Sequence, residues 1–165
     1  FKLNIMFNNQ KHTSIELSLA EINICKFIGE QRSLLARSNG VKDAKIGTHD
    51  GTIADIQGFK AEYAFAKFKN VFPDFGLSIR SGSCDGVTHM GNRYDVKSTN
   101  RTDGNLLATL KVNPDVDIYV LAVVQYNVVH LIGWVKKQDL IKPENIKNLG
   151  HGKGYFLSRN KLNKF

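Results

Sequence analysis

Apolar positions recur at helical spacing in the first half of the chain and at strand spacing after it. Ser18 followed by Glu21 fits a capping box, and Ile22, Phe27, Leu34 and Leu35 supply an apolar stripe. A first helix is therefore predicted after Thr13-Ser14, running to about Ser38 with or without a break near Gly29. Residues 39–55 are rich in Gly, Asp and Thr and read as a loop. Asp55 makes a good N-cap for a second helix over about Ile56 to Asn70, with Phe59, Tyr63, Ala66 and Phe68 at roughly helical spacing. After Pro73 the period shortens. Phe75 to Arg80 alternates as a strand does, Ser81-Gly82-Ser83 reads as a turn, and Cys84 to Met90 leads through Gly91-Asn92 into a returning strand, Arg93 to Thr99. Leu106, Leu107 and Leu110 suggest a short helix before Pro114. Ile118 to Gln125 is nearly all apolar, as a strand buried on both faces would be, and pairs with Val128 to Val135 through a turn at Tyr126-Asn127. A last strand is expected at Tyr155 to Ser158.

That order predicts one α/β domain over residues 1–165, with a central mixed β-sheet flanked by helices. Residues 1–14 are read as a flexible or extraneous leading segment. The 165 residues suffice for a substantial core, and the 42% apolar fraction excludes wholesale disorder. No apolar run is long enough to span a bilayer, and Phe1 to Phe7 lacks the features of a signal peptide. A cytoplasmic protein with no membrane partner is expected, its Cys25 and Cys84 reduced.

The formal net charge of +8 changes the picture of partners, because a basic surface attracts polyanions. Nucleic acid is the commonest of these. Charge alone does not separate a protein that holds DNA from one that cuts it.

The stretch from Asp85 to Lys97 carries the chemistry. Residues two apart in a strand share a face, so Asp95 and Lys97 point one way and Val96 points into the core. A hairpin turning near Gly91 brings the Asp85 end of one strand beside the Asp95 end of the next. Two close carboxylates repel unless a cation lies between them, and carboxylate and carbonyl oxygens are ligands that Mg²⁺ prefers. Lys97 beside them suits the stabilisation of charge on a phosphate or the orientation of an attacking hydroxide. An ordinary hairpin with a surface Asp–Lys pair would carry the same tripeptide.

Glu62 in the second helix, then Asp85, then Asp95-Val96-Lys97 follow one another in an order that resembles the PD-(D/E)XK nuclease superfamily, which includes restriction-endonuclease-like and Holliday-junction-resolvase-like proteins. The resemblance covers about Ile56 to Val135, and Trp134 and Tyr155-Phe156-Leu157 look like the family's later strands. It implies a restriction-endonuclease-like core and an Mg²⁺- or Mn²⁺-dependent deoxyribonuclease. Asp85, Asp95 and the Val96 backbone carbonyl would bind the metal, with Glu62 joining directly or through water. Lys97 would be the catalytic lysine, acting with Asp85, Asp95 and Glu62, and Gln125 an accessory polar residue. Cys84 stands where the family pattern has Pro. A literal Pro73-Asp74 lies upstream, but Asp74 is expected to point off the end of the sheet.

Other signals are bland. His89, His130 and His151 show no zinc spacing, and Gly150 to Gly154 reads as a flexible turn. Lys111, Lys136, Lys137 and Lys153 are candidate contacts to a nucleic-acid backbone. The expectation is thus a metal-dependent nuclease that cuts DNA in a structure- or end-directed manner, with RNA as substrate and a homodimer left open. The rivals are a non-catalytic nucleic-acid-binding module on the same fold and a basic protein that binds another protein.

Overall fold

A computed structural model describes residues 12–40, 50–77, 84–150 and 152–165. Strand β1 (Thr13–Glu16) comes first, so Thr13 and Ser14 belong to the sheet and not to a loose leader; residues 1–11 lie outside the described residues. Helix α1 (Leu19–Ser38) starts at the expected capping box: the Glu21 amide donates to the Ser18 hydroxyl, and the Ser18 amide donates to the Glu21 carboxylate at 2.7 Å. Its buried face differs from the expected stripe. Phe27 is 57% exposed and Leu34 63%, while Cys25, Ile28, Gly29 and Ser33 are buried.

The reason is the closeness of α1 to α2 (Gly51–Lys69), which only small side chains allow. A Cβ on Gly29 would lie 2.6 Å from the Ile56 Cα, and Ser33 meets Thr52 hydroxyl to hydroxyl at 3.2 Å. Helix α2 begins ahead of expectation, because Asp50 rather than Asp55 caps it, accepting from the Thr52 and Ile53 amides. Asp55 faces Arg37 instead, at 3.5 Å. Gly29→Ala should cost about 1–3 kcal/mol, since the obstacle is backbone and the helices must part. Chemical denaturation of the variant checks this.

The later elements are β2 (Gly86–Val87), β3 (Arg93–Thr99), β4 (Leu106–Thr109), β5 (Ile118–Gln125), β6 (Val128–Lys136), α3 (Lys137–Leu140), β7 (Ile146–Asn148) and β8 (Lys153–Leu157). A five-stranded sheet runs β1-β6-β5-β3-β2 and a three-stranded sheet runs β4-β8-β7. In the larger sheet β3 pairs parallel with β5 and the other contacts are antiparallel, so the sheet is mixed as expected. Residues 75–77 form no strand, and 78–80 lie outside the described residues. The strand expected over Cys84 to Met90 shrinks to the two residues of β2. The segment around Leu106 is the strand β4, not a helix, pairing with β8 at Leu106–Leu157.

Two cores share the central strand. Val120, Ala122 and Val124 of β5 join Phe59, Ala61, Phe65, Tyr94 and Val96 under the helices. Tyr119, Leu121 and Val123, from the other face of β5, join Leu106, Ile132, Leu140 and Leu157 beneath the smaller sheet. Alternation along one strand feeds both layers, as expected for β5. Helices α1 and α2 thus cover only one face, and the small sheet with α3 covers the other. Among the described residues no helix is long and apolar enough to cross a membrane. Cys25 and Cys84 are free thiols, and burial pushes Cys25 up to about 12.

Candidate active site

Asp85 sits just ahead of β2, at the edge of β3. Its amide donates to the Tyr94 carbonyl at 2.8 Å, and its carboxylate accepts from the Val96 amide at 2.7 Å. Strand β2 is too short to reach Val96, so a side-chain oxygen takes the place of the missing ladder partner. In an extended strand the N–H and C=O of one residue face the same side. The Val96 carbonyl is therefore turned toward the same edge as Asp85.

The hairpin that delivers Asp85 is made by its turn. The Thr88 amide donates to the Asn92 carbonyl at 2.9 Å and the Gly91 amide to the Thr88 carbonyl at 2.8 Å. Gly91 holds a φ of +82°, a left-handed value that favours glycine. Gly86 lets the chain pass over the Tyr94 ring, where a Cβ would meet the hydroxyl at 2.3 Å.

Asp95 and Lys97 share the face of β3 turned toward the smaller sheet and form an ion pair of 2.7 Å. The Lys97 ammonium stands 5.9 Å from the centre of the Tyr119 ring and its side chain keeps 35% of its surface in solvent, so an incoming anion can reach it. Burial, with Asp95 adding to it, pushes the Tyr119 phenol up to about 12, which keeps that ring a neutral wall. Val96 points the other way, into the helix-side core, as alternation required.

Glu62 reaches the site from α2. Its carboxylate pairs with Arg32 of α1 at 2.9 Å, and both side chains are largely buried. The same guanidinium donates to the main-chain carbonyls of Asp74 and Gly76 and lies 4.5 Å from the centre of the Phe59 ring. Arg32 thus ties together α1, α2 and the segment after Pro73. No spacing rule points to Arg32, because its partner is 30 residues away. The only hint is a charged residue inside the small-residue face of α1.

Electrostatics link these carboxyls. Asp85 keeps some residue surface in solvent while its carboxyl is packed among protein atoms. Burial first, then the charges of Glu62 and Asp95, push its pKa well above the usual carboxylate range; the Val96 amide and Lys97 oppose this. Tyr94 is raised as well, by burial and then by Asp85 and Glu62. Asp85 therefore feels both Glu62, from the helix side, and Asp95. Among the described residues no group of three or more His, Cys, Asp or Glu side chains is gathered as a ready metal-binding group. The oxygens of Asp85, Asp95 and the Val96 carbonyl are of the kind that could serve Mg²⁺, which takes such ligands together with water and phosphate.

The remaining expected residues lie elsewhere. Gln125 turns to His130 at 3.3 Å rather than toward the carboxylates. Asp74 does not hang off the sheet: it accepts from the Gly76 amide at 2.7 Å, and its charge bears on the Tyr94 hydroxyl. His89 meets the Asn70 carbonyl at 2.9 Å, and His151 lies outside the described residues. Lys111 and Lys153 flank the paired ends of β4 and β8, where Thr109 faces Gly154. Lys136 ends β6, and Lys137 donates to the Pro114 carbonyl at 3.0 Å. Set against known proteins, the chain matches no family model, no curated protein and no solved structure.

Proposed function

We propose that this chain is a divalent-metal-dependent nuclease on a restriction-endonuclease-like core, hydrolysing DNA phosphodiester bonds in a structure- or end-directed manner. The observation that carries the reading is the Asp85 carboxyl, held by the Val96 amide among the charges of Glu62 and Asp95 with Lys97 alongside. Folding gathers like charges there at a cost, and a cation removes that cost. Asp85, Asp95 and the Val96 carbonyl would hold Mg²⁺ or Mn²⁺, with Glu62 joining directly or through water. The ion supplies positive charge against the phosphate and lowers the pKa of water to a usable range.

The chain's own residues do the rest. Lys97 offers its exposed ammonium to a phosphate oxygen and stabilises the negative charge that grows on it during hydrolysis. Asp95 holds Lys97 in position through their ion pair. Arg32 fixes the Glu62 carboxylate, so that α2 presents it in one orientation. Tyr94 and Tyr119 wall the site with neutral rings. A protein meant only to bind nucleic acid gains nothing from three acids facing phosphate, which is why catalysis is preferred to simple binding.

The test is a cleavage assay on labelled single-stranded, duplex and branched DNA, and on RNA, with Mg²⁺ or with EDTA. Cleavage of DNA in Mg²⁺ and none in EDTA is the expected outcome. Binding without cleavage under every metal condition would replace this reading with that of a non-catalytic module, and cleavage of RNA alone would change the substrate.

A further inference from the structure

Residues 159–165 run as a strap from the second core to the helices. Leu162 is buried with Leu106, Ile132 and Leu157, next to the turn Arg159–Lys161 that follows β8. Strand β1 covers β6 only from Val128 to Leu131. Beyond it, Trp134 and Asn163 exchange backbone hydrogen bonds of 2.9 and 2.9 Å. A Cβ on Gly133 would lie 2.5 Å from the Asn163 carbonyl oxygen, so the glycine permits this close crossing. The Phe165 ring then lands on the last turns of α2, its centre 5.8 Å from that of Phe65 and 5.3 Å from that of Phe68. The Lys69 ammonium stands over all three rings, 5.7 Å from the centre of Phe65, 4.9 Å from Phe68 and 5.4 Å from Phe165. Among the described residues no carboxylate lies within ion-pair distance of Lys69, so the ring faces are what hold its charge.

The other end of the strap holds the loop that follows the candidate lysine. The Arg159 amide donates to the Asn105 side-chain oxygen at 3.0 Å, and the Arg159 guanidinium donates to the Thr102 carbonyl. Both acceptors belong to residues 100–105, which join β3 to β4. That loop folds back on the end of β3. The Arg101 amide donates to the Thr99 hydroxyl at 3.2 Å, and the Gly104 amide donates to the Arg101 carbonyl at 3.0 Å. A Cβ on Gly104 would lie 2.5 Å from the Thr99 methyl. Thr99 shares its face of β3 with Asp95 and Lys97 by alternation, so the loop borders the face from which the Lys97 ammonium reaches out. Contacts and strap together thus connect the Lys69 ammonium to the residue next to Lys97 on that face.

We infer that the strap is a positioning device for the loop beside Lys97, with Lys69 and its three rings as the catch that fastens it to α2. Its bearing on cutting rests on the nuclease reading; the fastening itself does not. Within residues 159–165 only Leu162 is buried, so the strap opens more readily than the sheet it crosses. A cation held over ring faces loses that attraction when its charge is removed, whereas an arginine at the same place keeps it. Loosening the catch lets strap and loop open together. A phosphate then meets Lys97 beside a loop that is no longer fixed, and cutting slows.

Hydrogen–deuterium exchange on the full metal-free chain tests this with Lys69→Gln, Lys69→Arg and Phe165→Ala. Lys26→Gln, at an exposed lysine of α1 away from the strap, controls for lost charge. Lys69→Gln and Phe165→Ala should each speed exchange about three- to tenfold in residues 159–165 and 100–105 alike, with β5 unchanged. Lys69→Arg should restore the parental rates, and Lys26→Gln should leave them as they are. Faster exchange in 159–165 without 100–105, in neither segment, or equally in β5 overturns the coupling. DNA cleavage in Mg²⁺ is read separately. If the parent cuts, Lys69→Gln should cut about three- to tenfold more slowly at saturating DNA and Lys69→Arg at the parental rate. Parental cutting by a Lys69→Gln variant whose loop has loosened overturns the positioning role. A parent that does not cut sinks the catalytic reading, and exchange still decides whether strap and loop are coupled.

Discussion

Lys97→Ala is expected to lower the rate of DNA cleavage by about 10²- to 10⁴-fold while leaving the protein folded. The lysine side chain is one-third exposed and takes no part in either core, so its truncation leaves no buried cavity. What is lost is an ammonium that reaches a phosphate oxygen. Asp95→Asn should fall by a comparable factor for a different reason. Its side chain keeps its size but no longer carries the charge that a divalent ion requires, and it holds Lys97 less firmly. The two variants separate in binding. DNA affinity in EDTA should persist or rise for Asp95→Asn, since one negative charge facing the phosphates is gone, and should drop modestly for Lys97→Ala. Single-turnover cleavage and anisotropy on one labelled substrate give both readings.

Asp85→Asn is expected to stabilise the metal-free protein. Asparagine keeps an oxygen to accept from the Val96 amide, so the edge of β3 stays satisfied. The charge is what disappears. Because the folded-state pKa of Asp85 is raised, the folded protein binds more protons than the unfolded chain between the ordinary carboxylate value and the raised one. Stability of the parent therefore falls as pH rises through that window, and the variant escapes the fall. In EDTA at about pH 8 the Tm of Asp85→Asn should exceed that of the parent by several degrees, at roughly 2–4 °C per kcal/mol for a chain of this size. The gap should close as the pH falls below about 3, where the parent carboxyl is protonated in both states. Mg²⁺ should raise the Tm of the parent and leave the variant where it is. A less stable Asp85→Asn at every pH would show that the carboxylate is held by interactions stronger than its crowding.

The parts of the fold that are legible in the sequence are those decided by local rules. The capping box at Ser18 and Glu21, the alternation through Asp95, Val96 and Lys97, and the two-sided burial of Ile118 to Gln125 depend on neighbours in the chain. What is not legible depends on distant partners. Leu106 to Thr109 is short and apolar, a pattern that suits helix and strand alike, and only pairing with Leu157 and its neighbours makes it a strand. The stripe of α1 misleads because large apolar residues are expected inside, whereas the close approach at Gly29 and Ile56 selects small ones. Asp50 and Asp55 are equally good caps by residue type, and the choice falls to Asp50. At the site, order along the chain points to Asp85, Asp95, Lys97 and Glu62. It does not point to Arg32, which works through an ion pair between two helices. Nor does it show that Gln125, at the end of the expected hairpin, turns to His130 of β6.

One Mg²⁺-dependent cleavage assay that sets Asp85→Asn against Asp74→Asn decides which aspartate partners Asp95 at the metal. Both substitutions keep an oxygen for the backbone amide that the aspartate serves, at Val96 and at Gly76, so both remove charge alone. Asp74→Asn should cut at close to the parental rate, and Asp85→Asn should be slower by at least about 10². An inactive Asp74→Asn beside an active Asp85→Asn, or two variants that both cut like the parent, would contradict the assignment of the metal to Asp85 and Asp95.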